Sequence, residues 1–318
     1  MKLTSRIAAR IRGHLLGRAL LELPHRLETQ AYDQQRLRVS LGALMARDIA
    51  GSASNCEDAE FTVFSQFGED GMIEFLVQNC DISPPTFVEI GVETYAEANT
   101  RFLAEHRLWR GLIVDANPRL ASDLARTHLD WRSQVRAVSA FVTRHNVRSL
   151  VEPFVAGEGL GLLSVDIDGV DYWVLEALVD LCPAMIIVEY NSLFGDEAPV
   201  SIPYDARFVR DRADFHNVYY GAGLAAFDHL LGSREYALVG CAAAGNNAFF
   251  VRRDRLRDVP ARSVAAAYRA RRFVEHRALD GSSTGITDPR RQLEDVGQLP
   301  LVDVRDGRAL TVANLLTG

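Results

Sequence analysis

Three aspartates, Asp166, Asp168 and Asp171, stand close together where an apolar run turns into a helix pattern, in the segment SVDIDGVDYWVLEAL. Capping of the helix N-terminus explains Asp168 or Asp171, but it does not explain all three. Carboxylates this close repel one another unless a proton, a cation or a basic ligand neutralises them. The segment therefore favours a functional site over a set of structural caps.

Two further carboxylates follow apolar strand patterns nearer the N-terminus. Glu89 and Gly91 stand in VEIGV, and Asp115 stands in IVDANP, 26 residues after Glu89. In an open parallel sheet, ligands bind beyond the carboxyl ends of the strands, where the strand order reverses. A glycine there lets the backbone approach a ligand, and an aspartate suits two ribose hydroxyls. A strand-end aspartate alone is more often a cap, but Asp115 paired with Glu89 at this spacing favours a nucleoside site.

A fourth stretch, IIVEYNSLFG, places Glu189 and Asn191 at the end of a later strand, which such a sheet sets beside the aspartate cluster. The insertion that follows holds DFHNVYYGAG and could cover an acceptor. Its His216 is a candidate general base, although a lone loop histidine is more often solvated or structural. Tyr219 and Tyr220 could stack on a sugar face, and packing in the core explains them equally well.

These stretches lie in an alternation of strand and helix patterns that begins near Phe61. Five alternations are followed by two strands separated by AAAG, which is a compact hairpin. Alternation predicts a parallel sheet with right-handed crossovers. The predicted fold class is α/β: a doubly wound, mostly parallel seven-stranded sheet with a terminal antiparallel hairpin, plus N-terminal helices. This order is typical of class I S-adenosylmethionine (SAM)-dependent methyltransferases.

Several helices are predicted around this sheet. The first covers SQFGEDGMIEFLVQNC, with Ser65 accepting hydrogen bonds from first-turn amides. Others are predicted over residues 97–107 and near residues 119–127. After Pro260 a helix is predicted over SVAAAYRARRFVEHRAL, and a hairpin turning at Asp306-Gly307 follows near the end.

The sequence divides into three predicted parts: a helical extension over residues 1–55, a Rossmann-like domain over 56–258 and an appendage over 259–318. In the extension, one amphipathic helix is predicted to end at Pro24, a second follows, and a linker begins at Gly51. Residues 1–48 carry nine Lys and Arg against four acids. The helices are predicted either to pack on their own domain or a second copy, or to lie on an anionic membrane surface.

Composition and charge exclude several classes of protein. The chain has 318 residues, 48% of them hydrophobic, and a net charge of −7, which leaves −12 for the part after residue 48. An acidic body disfavours nucleic acid as a partner, because phosphate contacts need clustered Lys and Arg. The four cysteines are widely spaced and form no CxxC pair, which favours buried, reduced thiols. No signal peptide or membrane span is predicted, so the expected location is the cytoplasm, with peripheral contact at the inner membrane face as the alternative.

Four motifs, VEIGV, VDANP, VDIDGVDYWVLEAL and PAMIIVEYN, together with SQFGEDG ahead of them, resemble those of FkbM-type SAM-dependent O-methyltransferases. The resemblance covers roughly residues 61–255. It implies SAM as cofactor and a hydroxyl acceptor, with a sugar or glycan in surface polysaccharide or glycolipid biosynthesis as the expected one. Glu93, Thr94 and Tyr95 stand where the family commonly has further glycines, and Asp168 stands where it usually has Glu.

The resemblance and the strand-end positions together imply roles for particular residues. Asp168 is the first candidate for the base and His216 the second. If a metal such as Mg²⁺ is needed, Asp166 and Asp168 are its predicted ligands. The methionine carboxylate of SAM is expected near Asn99 and Thr100, or on amides of the helix starting near Ala96. The remaining predicted contacts are cofactor-binding Glu89, Gly91, Asp115, Ala116, Ser139 and Asp166, and substrate-binding Glu189, Asn191 and Tyr219.

Two other functions stay open at this point. Asp166-Ile-Asp168 also resembles the DxD motif of metal-dependent glycosyltransferases, whose carboxylates hold Mn²⁺ or Mg²⁺ and a nucleotide-sugar diphosphate. That interpretation leaves Glu89 and Asp115 unexplained and does not need the terminal hairpin. The second alternative is a non-catalytic relative that retains the fold for binding or assembly, and the glycine-poor first loop is its best support.

Overall fold

The computed structural model describes residues 2–273 and 275–316, with side chains at residue 23, residues 25–27 and from residue 29 onward. By its internal contacts the chain separates into two units, residues 1–44 and 45–318. The division predicted at residues 55 and 258 stays a prediction.

The N-terminal segment forms one helix, α1, over Lys2–Ser52. The break predicted at Pro24 is wrong, because the helix runs through this residue, and the linker predicted from Gly51 begins only after Ser52. A proline inside a helix costs about 3 kcal/mol, and long flanks rich in Leu, Arg, Ala and Gln can offset that cost. Among the residues described, no helix is both long and apolar enough to cross a membrane.

The main sheet has seven strands in the order β3-β2-β1-β4-β5-β8-β7. Strands β1 to β5 pair in parallel, whereas β8 pairs antiparallel with both β5 and β7. The predicted fold, including the terminal hairpin, is confirmed. Since β1 lies between β2 and β4, the strand order reverses there and opens a crevice at the carboxyl ends of these strands. The strands are β1 Thr86–Ile90, β2 Arg110–Asp115, β3 Arg136–Ser139, β4 Leu162–Val165, β5 Met185–Glu189, β7 Tyr236–Cys241 and β8 Asn247–Arg252.

A smaller sheet connects the C-terminal tail to the insertion that follows β5. Its strands are β6 Val200–Ser201, β9 Pro300–Asp303 and β10 Ala309–Thr311, in the order β10-β9-β6. The predicted hairpin at Asp306-Gly307 is confirmed, with Gly307 at φ 76° and its amide donating to the carbonyl of Asp303 (2.9 Å). Leu293, Leu301 and Val312 of the tail belong to the main hydrophobic core.

Helices cover the main sheet and connect its strands. After α1 they are α2 Glu69–Asn79, α3 Leu120–Ala125, α4 Leu129–Arg132, α5 Val147–Val155, α6 Asp171–Leu178, α7 Arg210–Ala213, α8 Leu224–Gly232, α9 Val264–Ala267 and α10 Pro289–Asp295. At the start of α2 the hydroxyl of Ser65 accepts from the amide of Asp70 (3.1 Å), as predicted. The Asp70 carboxylate accepts in return from the amides of Val63, Phe64 and Ser65.

Two predicted helices are shorter than expected. Over 97–107 the chain first makes turns and becomes helical from residue 101, ending in a π-helical turn at Leu103–Arg107. Over the predicted span 263–279, the described residues are helical only in α9, and those after α9 run irregularly over the core. Tertiary contacts override helix propensity there. The Tyr268 hydroxyl donates to the carbonyl of Ser192 (2.7 Å), and the Arg271 amide donates to the Ser192 hydroxyl (3.0 Å).

Candidate functional site

A cleft of about 120 Å³ opens at the carboxyl ends of β1, β2 and β4, where the strand order reverses. Three of the predicted cofactor residues, Gly91, Asp115 and Ala116, line it. Its other walls are mostly apolar, which suits the flat faces of a base or a sugar. The remaining lining residues are Ile90, Val114, Ala140, Phe141, Val142, Ile167, Gly169, Val170, Asp205 and Phe208.

Gly91 forms the floor of the cleft where β1 passes β4. Its φ of 85° lies in the left-handed region, and a Cβ built on it would overlap the carbonyl oxygen of Asp166. Its amide donates to the carbonyl of Val114 (2.9 Å), so the β1 loop is also tied to β2. Only glycine fits this close approach of two backbones.

The Asp115 carboxylate fastens the loops after β1 and β2 to each other. Its Oδ2 accepts from the amides of Val92 (2.9 Å) and Glu93 (2.8 Å), and its Oδ1 accepts from the amide of Asn117 (2.7 Å). A carboxylate has about four acceptor positions, so one remains on Oδ1. The side chain is half-buried at the edge of the cleft and can accept from a ligand hydroxyl.

Glu89 is buried behind the cleft and binds the chain that follows the β1 loop. Its carboxylate accepts from the amides of Asn99 (2.8 Å) and Thr100 (3.0 Å) and from the hydroxyl of Thr100 (2.5 Å). Burial raises the pKa of Glu89 to about 7, while these hydrogen bonds oppose the shift. The amides of Asn99 and Thr100 therefore donate to Glu89. The expectation that this segment holds the carboxylate of SAM stays a prediction.

The predicted acidic cluster does form, and it includes Glu189. Carboxylate oxygens of Asp166, Asp168 and Glu189 lie within 4.8 Å of one another. Burial, followed by repulsion from neighbouring carboxylates, raises the pKa of both Asp166 and Glu189 well above the usual range. Among the described residues, the buried Glu189 Oε2 finds no hydrogen-bond partner. Such a group either shares a proton or holds a hard cation with its oxygens.

Asp171 stands apart from the acidic cluster and has a structural role. Its carboxylate accepts from the amides of Ile167 (2.7 Å) and Gly169 (2.8 Å), which shapes the turn between β4 and α6. Burial raises the pKa of Asp171 to about 6. Of the three clustered aspartates in SVDIDGVDYWVLEAL, Asp171 is thus the one that shapes the turn.

Arg210 faces the acidic cluster from the insertion after β5. This residue was not predicted from the sequence. Its guanidinium pairs with Asp168 and with Glu275 (2.5 Å), donates to the carbonyl of Asn217 (2.9 Å), and lies 3.6 Å from the ring centre of Tyr220. The Asp168 side chain is 57% exposed, whereas that of Arg210 is 10% exposed. Arg210 therefore offsets part of the negative charge, and a single arginine in an irregular insertion gives no sequence signal.

Two of the predicted site residues outside the cleft lining are His216 and Ser139. His216 pairs with Asp214 and stacks near His276, and among the contacts of the described residues none joins it to Asp168. Ser139 pairs with Asp115 on the edge strand and is exposed, and its neighbour Ala140 lines the cleft instead.

Asn191 and Tyr219 are buried, and their roles in substrate binding stay predictions. Asn191 is fully buried, donates to the carbonyls of Val218 (2.9 Å) and Tyr220 (3.0 Å), and accepts from an amide at the start of the next turn. The Tyr219 hydroxyl donates to the carbonyl of Pro300 (2.6 Å) and its ring is buried. Both side chains hold the insertion in place.

The aromatic wall of the cleft was missed. Phe141 lines the cleft, and its side chain is 49% exposed, which leaves the ring accessible to a ligand. Phe208 reaches the cleft from the insertion after β5 and packs near Tyr219. The run Ala140-Phe141-Val142 directly after β3 was a signal, because it continues an apolar strand beyond its carboxyl end.

No protein-family model matches the chain, and no curated protein matches it either. Solved structures show limited similarity. An O-methyltransferase family protein from Burkholderia thailandensis is 12% identical over 75% of this chain and 61% of that chain, with a TM-score of 0.35. The Bacillus cereus O-methyltransferase in complex with SAH (S-adenosylhomocysteine) is 14% identical over 56% and 76%, with a TM-score of 0.35.

TomG, an O-methyltransferase from Streptomyces achromogenes involved in tomaymycin synthesis, in complex with SAM, is 14% identical over 67% of this chain and 87% of that chain, with a TM-score of 0.34. Similarities of this size establish nothing about activity.

Proposed function

We propose that this protein is a SAM-dependent O-methyltransferase. The observation that carries the proposal is the cleft at the point where the sheet β3-β2-β1-β4-β5-β8-β7 reverses its order, with the Asp115 carboxylate on its edge. Doubly wound sheets bind nucleotide-type ligands at that point. Because fold alone does not define function, the residues of the cleft have to suit the cofactor.

The cleft residues fit the adenosine part of SAM. Phe141 and Val142 offer apolar faces for the adenine ring, and the remaining acceptor position on Asp115 Oδ1 suits a ribose hydroxyl. Gly91 keeps the floor open between the two backbones. When bound, SAM would supply the methyl group of its sulfonium to the acceptor oxygen, and the sulfur would leave as the neutral thioether of SAH.

The acidic cluster is placed to serve the acceptor side of the reaction. Ile167 and Gly169, which flank Asp168, line the cleft, so the cluster borders it. Asp168 is its exposed member, and we assign to it the removal of the hydroxyl proton of the acceptor. Arg210 fixes its carboxylate in position. A cationic sulfonium near Asp166 and Glu189 would lower their raised pKa values and so favour the charged carboxylates.

The same carboxylates fit a hard divalent cation such as Mg²⁺. Asp166, Asp168 and Glu189 would hold it, and the unpaired Glu189 Oε2 is the observation that supports this ligand set. A bound cation would lower the pKa of an acceptor hydroxyl.

The acceptor is proposed to be a hydroxyl of a sugar or glycan in surface polysaccharide or glycolipid biosynthesis. The resemblance to FkbM-type enzymes supports it, and the insertion after β5 places Asp205 in the cleft wall, where a carboxylate can bind sugar hydroxyls. The exposed leucines of α1 support a contact with the inner membrane face or with a second copy. They are Leu23, Leu27, Leu37, Leu41 and Leu44.

Methyl transfer from SAM carrying a tritium-labelled methyl group tests the proposal. Free sugars, nucleotide sugars and glycolipid extracts would be offered separately, with Mg²⁺ and with a chelator, to the unmodified chain and to Asp168→Asn. Label in one sugar fraction, reduced at least about 100-fold by the variant, supports the proposal. Label in no fraction from a protein that binds SAH contradicts it and favours the non-catalytic relative. Binding of a nucleotide sugar with Mn²⁺, without SAH binding, favours the glycosyltransferase.

A further inference from the structure

A second cluster of potential metal ligands lies outside the cleft, where the insertion after β5 meets the C-terminal tail. It consists of His216 in that insertion, His276 in the irregular segment after α9, and Asp295 at the end of α10. One ligand atom from each residue lies within 4.8 Å of the other two. Three segments far apart in the sequence thus bring two imidazoles and a carboxylate together.

His276 has the environment of a metal ligand. It is 2% exposed, and its Nδ1 is 2.8 Å from the hydroxyl oxygen of Thr284. Its Nε2 is buried and lies 3.2 Å from Asp295 Oδ2, but it makes no hydrogen bond of good geometry with any residue that the structure describes. Metal-binding histidines have this arrangement, with one ring nitrogen fixed by a protein partner and the other directed at the ion.

His216 repeats the arrangement with a carboxylate as its partner. Its Nδ1 lies 2.8 Å from Asp214 Oδ1, which also accepts from the backbone amide of His216 (2.9 Å). This contact fixes the ring and leaves Nε2 as the ligand atom. The rings of His216 and His276 are 4.9 Å apart between centroids. Carboxylate–histidine pairs of this kind orient the ring and raise its basicity toward a metal.

Asp295 supplies the third ligand, with its charge divided between two partners. Its Oδ1 lies 3.3 Å from Arg291, whereas its Oδ2 faces His276. Two nitrogens and one carboxylate oxygen suit Zn²⁺, while Mg²⁺ and Ca²⁺ prefer oxygen alone. Ligand atoms around a tetrahedral Zn²⁺ lie roughly 3.3 Å apart, so the ion requires these groups to approach by about 1 Å or more.

We propose that His216, His276 and Asp295 bind a divalent transition metal of the Zn²⁺ class, with water as the fourth ligand. The site joins the insertion to the tail. It also acts on the cleft, because Glu275, the residue before His276, bonds Arg210 (2.5 Å), and Arg210 pairs with Asp168. A metal on His276 therefore holds Arg210 in place. The proposal does not depend on methyl transfer.

Zinc titration of the chelator-treated, full-length protein tests the site. A chromophoric chelator would compete for the ion in a buffer containing millimolar Mg²⁺, which occupies sites made of oxygen alone. The unmodified chain is expected to bind Zn²⁺ with a submicromolar Kd, and Co²⁺ in its place should give the visible absorption of a tetrahedral site. His216→Ala and Asp295→Asn should each weaken binding at least about 100-fold, and Asp214→Asn about 10- to 100-fold.

The matched control is His229→Ala, which removes an exposed histidine of α8 outside the cluster. His276→Ala is the most direct variant, but the residue is buried, so His216→Ala and Asp295→Asn carry the test if His276→Ala does not fold. Zn²⁺ should raise the Tm of the unmodified chain and of His229→Ala but not that of His216→Ala. No submicromolar Zn²⁺ binding, or binding that the cluster variants leave unchanged, overturns the proposal.

Discussion

Gly91 lies directly against the backbone of Asp166, so that a Cβ at position 91 would overlap the Asp166 carbonyl oxygen. This contact sets the distance between the β1 loop and the acidic cluster. It also explains the one glycine of an otherwise glycine-poor loop, because the glycine lets two strands of the sheet approach at the floor of the cleft.

Gly91→Ala is therefore expected to reduce the free energy of unfolding by more than about 3 kcal/mol, or to prevent folding. The left-handed φ costs about 1–2 kcal/mol for alanine, and overlap with rigid backbone adds to it. Gly157→Ala is the matched control, since Gly157 has a similar φ of 83° and open space around it. Urea unfolding measures both. Equal losses in the two variants would show that backbone conformation alone is responsible.

Arg107→Ala is expected to cost about 3 kcal/mol or more of unfolding free energy. Arg107 donates to both carboxylate oxygens of Glu74 (2.7–3.0 Å), and Glu74 is completely buried. Removing the arginine leaves a buried charge unpaired. Arg126→Ala removes a pair with Asp123 in which the arginine is 76% exposed, and should change stability by less than about 1 kcal/mol. A small effect at both positions in urea unfolding would contradict this assignment.

The stability difference between the unmodified chain and Glu89→Gln is expected to depend on pH. The pKa of Glu89 is raised from 4.5 to about 7 by burial, so the folded state keeps a proton that the unfolded state releases. The contribution of Glu89 to the free energy of unfolding is thus fully present below pH 4.5 and is lost as the pH rises to about 7. The difference should fall by about 3 kcal/mol across that window.

Chemical denaturation at several pH values measures this difference. The control is Glu152→Gln, which changes an exposed carboxylate of α5. Its difference from the unmodified chain should vary by less than about 1 kcal/mol. A Glu89→Gln difference that rises with pH would mean that the hydrogen bonds from Asn99 and Thr100 outweigh burial.

Phe141→Ala is expected to weaken SAH binding by about 10-fold or more, because stacking of a base on an aromatic side chain contributes about 1–3 kcal/mol. Phe141 lines the cleft and is 49% exposed. Trp131→Ala removes an aromatic that is 70% exposed and outside the cleft lining, and should leave the affinity unchanged. The two dissociation constants are obtained by fluorescence or calorimetry. Equal affinities in both variants would place the adenine ring elsewhere.

The sequence predicted the sheet and the position of the cleft because both depend on local patterns. Strand ends identified Gly91, Asp115 and Asp168, since parallel strands bring their carboxyl ends to one edge. The contacts of Glu89 could not be predicted, because they depend on where the chain at residues 99–100 returns. The cluster of His216, His276 and Asp295 was missed for the same reason.

Helix predictions failed where long-range contacts override local preference. The tail after α9 has a helical composition, yet Tyr268 and Arg271 bond to Ser192 in an irregular path. Arg210 was missed because its partners, Asp168 and Glu275, come from segments on either side of it that the sequence does not relate. The burial of Asn191 and Tyr219 could not be predicted either, because it depends on the path of the insertion after β5.

The cleft is proposed to bind a SAM-type nucleoside. Calorimetric titration of SAH into the full chain, with and without Mg²⁺, tests this binding. The test variant is Ala140→Trp, whose side chain would fill the cleft. The control is Ala121→Trp, which places the same side chain on the exposed side of α3. We expect micromolar binding to the unmodified chain and the control, and a loss of at least about 100-fold in Ala140→Trp. If SAH bound to none of these three proteins, or bound equally to both variants, binding of a SAM-type nucleoside in this cleft would be contradicted.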